Sequence, residues 1–248
     1  MFKPCIVIPV YNHQRAVAEL LPRLLAYQLP VLLIDDGSAA HCQQVLQKLA
    51  DEHALLTLIS LPINRGKGAA VKVGLQQAQA EGFSHAIQMD ADGQHEPADI
   101  SRFIALANTH RQAIICGHPI YDDSVPRVRF WARYLTHVWI WINSLSFEIK
   151  DSMCGFRIYP LPAVTRLLAE ESMGDRMDFD PELMVRWLWR GGEVINVATQ
   201  VRYPEGGISH FAPFRDNYLI SVMHTRLFFG MLWRLPTLLG RKLTSRGN

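Results

Sequence analysis

Over the first half of the chain, short apolar runs alternate with segments whose apolar positions recur every three or four residues. The runs are Cys5–Val10, Val31–Ile34, Leu55–Leu61, His85–Met89 and Ala113–Gly117. Polar residues interrupt them little, so they predict strands buried on both faces. The longer segments, His13–Tyr27, His41–Glu52, Lys67–Glu81 and Pro97–Asn108, predict helices. Pro22 predicts a kink or break in the first, Gly82 a stop after the third, and Pro97 a start for the fourth. Strands and helices in alternation imply an α/β fold: a mostly parallel central sheet flanked by helices, with ligands beyond the carboxyl ends of the strands.

Beyond Gly117 the pattern changes. Arg127–Ser146 predicts an aromatic-rich helix. Asp180 predicts an N-cap with Pro181 at the first helical position, the helix running to Arg190 and stopping at Gly191-Gly192. Glu193–Tyr203 predicts a strand. Residues 1–211 form one expected domain, and 212–248 a C-terminal amphipathic helical segment. No internal repeat or flexible linker separates them.

The length, 248 residues, and the 49% hydrophobic content suit one large core. A net charge of +2 gives no argument for nucleic acid. The charge is uneven: from Phe211 onward it is +5, leaving −3 for the rest. The longest apolar stretch there, Leu227–Gly240, is broken by Arg234 and Pro236, short of a membrane span. An apolar, cationic segment suits a membrane surface or an oligomer contact. The four cysteines form no CxxC pair, and Cys5 and Cys116 read as core residues. Met-Phe-Lys-Pro leads directly into a strand, which predicts no signal peptide. The expected place is the cytoplasm, peripheral on the cytoplasmic face of the inner membrane.

Four polar loops follow strands and converge on one sheet edge. Asp90-Ala91-Asp92 puts two carboxylates one residue apart, able to hold one hard cation that neutralises a diphosphate; the alternative is a solvated turn. A carboxylate in Asp35-Asp36-Gly37-Ser38 can accept from a base edge or ribose, or close an Asx-type turn. Asn64-Arg65-Gly66-Lys67-Gly68 lacks P-loop spacing. Its glycines and cations suit a diphosphate near a helix start, or a solvated basic turn. Asp151 can meet a sugar hydroxyl. Gly155 permits close backbone approach. Arg157 is a site residue or a paired strand residue. Arg127, Arg129 and Arg133 open the aromatic helix, where they meet an acceptor phosphate or only solvent.

Taken together, Ile8–Asn12, Ile34–Ser38, Asn64–Gly68, Asp90–His95, Asp151–Arg157 and Gly206–His210 resemble the family 2 glycosyltransferases, in the branch of polyprenol-phosphate sugar synthases. The resemblance covers about Lys3 to Phe211. It implies a GT-A (nucleotide-diphospho-sugar transferase) fold and inverting transfer of a sugar from a UDP- or GDP-linked donor to a lipid acceptor. Mg2+ or Mn2+ is the implied cofactor, on Asp90, Asp92 and Gln94. Pro9, Tyr11, Asn12, Asp35, Asp36, Lys67, Asp90 and Ala91 are the implied donor contacts. Asp180 and Glu182 lie where many members carry an acid near the acceptor, with Asp151 a further catalytic candidate. Asp180 reads equally as an N-cap, and Glu182 as a partner of Arg186 one turn on. Arg127, Arg133, Arg157, Ser209 and His210 are the acceptor-phosphate candidates. Two departures stand out: Cys154 where the branch usually has Ser, and His210 where it usually has Lys. A nucleotidyltransferase is the competing enzyme; it lacks support because Pro9-Val10-Tyr11-Asn12 replaces a Gly-rich basic signature. A non-catalytic sugar-nucleotide or lipid-binding protein is disfavoured by the intact acid pair.

Overall fold

A computed structural model describes residues 1–120, 127–201 and 210–245. In chain order it contains β1 (Pro4–Val10), α1 (Gln14–Leu25), β2 (Val31–Asp35), α2 (Ala40–Glu52), β3 (Leu56–Ser60), α3 (Lys67–Ala80) and β4 (His85–Gln88). A 3-10 turn, Pro97–Asp99, leads into α4 (Ile100–Thr109) and β5 (Ile114–Ile120). Then come α5 (Arg127–Ser144), β6 (Arg157–Pro160), α6 (Leu161–Glu170), α7 (Phe179–Trp189), β7 (Val194–Gln200) and α8 (Pro213–Ser245).

The strands form one seven-stranded sheet in the order β3-β2-β1-β4-β6-β5-β7. β1, β2, β3 and β4 pair in parallel, as do β5 and β7. β6 runs antiparallel to both β4 and β5. Side chains of the apolar runs alternate between two cores, as a pleated strand requires. Cys5 and Val7 of β1 face α3, α6, α7 and α8; Ile6, Ile8 and Val10 face α1, α2 and α4. All four cysteines are buried and free.

Four elements depart from the sequence reading. β6 and α6 were not expected: Arg-Ile-Tyr-Pro is short and opens on an arginine, yet all four residues are buried. α7 starts at Phe179 with Asp178 at the N-cap position, so Asp180 lies within the first turn and does not cap it. α1 continues through Pro22. Pro22 cannot donate to the carbonyl of Ala18, and both residues lie on the exposed side of the helix. The C-terminal segment is one 33-residue helix, uninterrupted at Arg234 or Pro236. It buries Ile220, Met223, Leu227, Met231 and Leu238 in the core shared with α3, α6 and α7. Each such side chain contributes roughly 1.5–3 kcal/mol. Among the described residues, no helix is long and apolar enough to cross a membrane.

Candidate active site

The parallel register places the loops after β1, β2 and β4 on one edge of the sheet, where Val10 lies opposite Asp35. The first two loops are tied together. The Ser38 hydroxyl accepts the Asn12 N–H at 2.9 Å, and Asn12 Oδ1 accepts the Ala39 N–H at 2.8 Å. Asn12 takes φ 53 to do so, a conformation that asparagine tolerates better than most residues. Pro9 sits within β1, buried opposite Ile34. Asp35 is fully buried; one oxygen accepts the Ser38 N–H at 3.0 Å and the other has no hydrogen-bond partner.

Asp36 clamps the next loop. Its oxygens accept Asn64 Nδ2 at 2.9 Å and the N–H groups of Arg65 and Gly66 at 2.8 and 2.7 Å. Burial raises its pKa, and the two backbone hydrogen bonds offset part of the rise. This residue therefore anchors the 64–66 loop, with little acceptor capacity left for a ligand. Gly66 is needed there: φ is 111°, and a Cβ would stand 2.6 Å from the carbonyl oxygen of Asp175.

The anchored loop delivers Lys67 at the first position of α3. Its ammonium lies 2.8 Å from Asp90 Oδ1, 3.0 Å from Asp90 Oδ2 and 2.9 Å from Asp180 Oδ2. Burial works to lower the Lys67 pKa, but Asp180 and Asp90 outweigh it and raise it. Burial works to raise the Asp90 pKa, but Lys67 and His95, whose Nε2 is 3.8 Å away, hold it well below the usual carboxylate range. Asp92 moves the other way: burial and the charge of Asp90 raise its pKa, although Oδ1 accepts the Gln94 N–H at 3.0 Å. Ala91 between them is buried. Asp90 and Gln94 line a cleft with His95, Pro119, Met153, Cys154, Gly155 and Val201. A Cβ on Gly155 would stand 2.1 Å from Asp90 Oδ2, so only glycine lets this backbone pass the carboxylate.

These residues fit a divalent cation of a particular kind. Among the described residues, no group of three His, Cys, Asp or Glu side chains forms a complete metal cage. Two carboxylates and the Gln94 amide are hard oxygen donors that suit Mg2+ or Mn2+ sharing its shell with a diphosphate. The Lys67 ammonium rests on Asp90 in this structure.

The other candidates separate. Asp151 is buried beside the cleft: Oδ1 accepts the Met153 and Cys154 N–H groups, both at 2.8 Å, and Oδ2 is 3.7 Å from His137 Nε2. Asp180 is buried against Lys67, with Oδ1 3.4 Å from both Gln88 Nε2 and Arg157 Nη1. The structure does not bring Arg157 to the cleft surface. Its guanidinium is fully buried and bonded to Asp180, Tyr159 and the Ser152 carbonyl, the paired-strand alternative. Nor does Glu182 reach the cleft; it is buried between Arg186, Arg226 and the Gly174 N–H. His210 packs edge-on against Tyr11 and His13, with ring centroids at 5.0 and 4.8 Å. Arg127 and Arg133 belong to α5, but their side chains, like Ser209, lie outside the described residues.

Three contributors had gone unnoticed. His13 joins the Tyr11–His210 cluster, its pKa lowered by burial and by His210. His95, the last residue of the Asp90–His95 motif, faces Asp90 with Nε2 3.8 Å from Oδ2. Arg176 Nη1 lies 3.3 Å from Asn64 Oδ1, and Lys72 bonds the Met173 carbonyl and Asp175, which packs residues 173–176 against the 64–68 loop. No periodicity marks that segment; Gly174 beside acids was the one hint.

A family model described as Glycosyl transferase family 2 matches residues 5–168. The chain is 24% identical over 220 residues to a dolichyl-phosphate beta-glucosyltransferase of Trichomonas vaginalis, covering 81% of this chain and 66% of that one. It spans 62% and 59% of two further proteins of the same description from that organism, so these curated relatives are considerably longer. Its fold is similar to glucosyl-3-phosphoglycerate synthase from Mycobacterium tuberculosis in complex with UDP: TM-score 0.66, 14% identity, 93% of this chain and 80% of that chain. It is also similar to a mannosyltransferase from Pyrobaculum calidifontis in complex with GDP-Man and Mn2+: TM-score 0.56, 15% identity, 99% and 75% covered.

Proposed function

As the chain belongs to glycosyltransferase family 2 and takes a GT-A-like fold, we propose that it moves a sugar from a UDP- or GDP-linked donor to polyprenyl phosphate at a membrane surface. The observation that carries the reading is Asp90 in the cleft, pressed on Gly155 and bridged by Lys67 to Asp180. Asp90, Asp92 and Gln94 would hold Mg2+ or Mn2+, which when bound neutralises the diphosphate of the donor. Lys67, kept charged by two carboxylates, adds a positive charge that favours the departing diphosphate. Asp180 orients Lys67, and Asp36 holds the loop that presents it. Tyr11, Asn12 and Asp35 suit the nucleoside end of the donor.

The committed carboxylates bear on the acceptor. A hydroxyl needs a general base within hydrogen-bond reach. The oxygens of Asp180 go to Lys67, Gln88 and Arg157, and those of Glu182 to arginines and a backbone N–H. Asp151 spends one oxygen on two N–H groups. A phosphate acceptor arrives already ionised and needs no base, and the description of the Trichomonas relatives agrees with it.

The test incubates the protein with UDP- and GDP-sugars, Mg2+ or Mn2+ and a polyprenyl phosphate, and follows the lipid by mass spectrometry. The expected result is a sugar-phosphate lipid with release of nucleoside diphosphate. Pyrophosphate release would indicate a nucleotidyltransferase, and donor binding without turnover on any lipid extract would indicate a binding protein.

A further inference from the structure

The segment that leads into α7 is fastened to the start of α3. The Asp175 carbonyl accepts the Ala69 N–H at 2.8 Å. Lys72 Nζ donates to the Met173 carbonyl at 3.0 Å and to Asp175 Oδ1 at 2.6 Å. Glycines let the two stretches of chain touch. A Cβ on Gly66 would stand 2.5 Å from Arg176 Cγ, and one on Gly68 would stand 2.4 Å from Phe179 Cβ. The Arg176 N–H is held as well, 3.1 Å from Asp178 Oδ1. The partly buried Arg176 side chain is thereby laid across the turn that delivers Lys67.

Its charge is uncommitted, unlike those around it. Arg65 and Lys72 pair with Asp175, Lys67 with Asp90 and Asp180, and Arg157 with Asp180. Among the described residues, no carboxylate pairs with Arg176. Its guanidinium makes one hydrogen bond there, from Nη1 to the neutral Asn64 Oδ1 at 3.3 Å. Asn64 in turn donates to Asp36, and the charge of Arg176 acts to lower the Asp36 pKa. The side chain therefore runs from Gly66 toward Asn64 and places its guanidinium on the Asp36 side of Lys67. An arginine that served only for solubility would extend into water; this one is folded onto the edge of the sheet that carries the polar loops. Its remaining N–H donors form the fork that phosphate oxygens match.

We propose that Arg176 binds a phosphate group in the cleft, as a second cation beside Lys67. The proposal rests on the sugar-nucleotide reading above, in which two phosphate sources come to this edge: the diphosphate of the donor and the phosphate of the acceptor. The fork suits either one. Its seat on the loop that Asp36 holds favours the donor. The same segment continues to Asp180, so one stretch of chain supplies both the carboxylate that orients Lys67 and the guanidinium next to it.

Calorimetry on the full chain with UDP, GDP and the matching nucleosides tests this. Arg176→Met keeps the apolar stem over Gly66 and removes the charge. It should weaken diphosphate binding roughly tenfold to a hundredfold, as loss of a charge-assisted hydrogen bond does. Nucleoside affinity and the melting curve should not change. Arg176→Lys keeps the charge, loses the fork, and should fall between Arg176→Met and the parent. A role exerted only through Asn64 gives another pattern: Arg176→Met then adds no loss in an Asn64→Ala background, and that result overturns the contact. Equal losses for nucleoside and diphosphate overturn it too. The KM for a short-chain polyprenyl phosphate, measured on the same variants, identifies the source. A raised KM with unchanged diphosphate affinity assigns the bound phosphate to the acceptor. Unchanged affinity together with unchanged KM overturns the contact and leaves the sugar-nucleotide reading standing. A parent that binds neither UDP nor GDP overturns that reading and the contact with it.

Discussion

Asp90 at the end of β4 and Glu182 in α7 are both carboxylates neutralised by cations, in opposite settings. Glu182 has no exposed side-chain surface and is held by Arg186, Arg226 and the Gly174 N–H, a bolt joining α7 to α8. Asp90 is 21% exposed at the mouth of a cleft and is held by one lysine that it shares with Asp180. Taking both arginines from Glu182 would strand its charge in the core, a large penalty. Lys67 has a second carboxylate waiting, and water or a ligand can reach Asp90. The difference teaches that a paired acid is structural or reactive according to whether its partner can leave without stranding a charge.

Substitution at the open site should give the largest effect. Asp92→Asn is expected to lower turnover by about a thousandfold with little change in melting temperature; near-parental turnover, or full turnover in excess chelator, would remove the distinction. At the closed site the effect should fall on stability. Glu182→Ala unties α8 from α7, but Arg186 keeps Glu171 and Arg226, 47% exposed, reaches water, so it should cost about 1.5–3 kcal/mol in urea unfolding, while nucleotide affinity per folded molecule holds. A loss below about 1 kcal/mol would mean that the pair is worth no more than a surface one.

His224 sharpens the comparison as a buried titratable group next to Asn143, away from the cleft. Burial lowers its pKa to about 4. Between that value and the ordinary value near 6.5 the unfolded chain binds the extra proton, so stability is full above pH 6.5 and falls as pH drops toward 4. The loss should approach about 3 kcal/mol, and unfolding curves of His224→Leu should be flatter over that window. An equal slope in the variant would assign the acid sensitivity elsewhere.

Asp36 is intermediate, buried like Glu182 but bonded to a loop of the site. Asp36→Ala should weaken nucleoside diphosphate binding by about tenfold, or about 1.4 kcal/mol, through loosening of the 64–66 loop. Unchanged affinity in calorimetry would place it wholly with the structural acids.

Much of the architecture was legible in the chain. Six of the seven strands and the sheet's mostly parallel character followed from runs of Val, Ile and Leu spaced by amphipathic segments. The acid pair at residues 90 and 92 and the basic turn at 64–68 were visible as motifs at strand ends. What failed was local: β6, four residues long and opening on an arginine, carries no periodic signal. The N-cap of α7 was misplaced by two residues because Asp178 and Asp180 offer the same chemistry.

Which acids stand open at the cleft and which are shut in ion pairs could not be read along the chain. Spacing brings out a carboxylate's type and element, because these depend on neighbours three or four residues away. Its partners come from far off: Lys67 reaches Asp180 and Asp90, Arg226 reaches Glu182, and Arg157 turns inward to Asp180. Burial and pairing set whether a charge is available, and both are properties of packed elements. Hydrophobic pattern therefore determined the sheet and the edge that carries its polar loops, and tertiary packing alone decided that Asp90 lies open in the cleft and Glu182 lies shut.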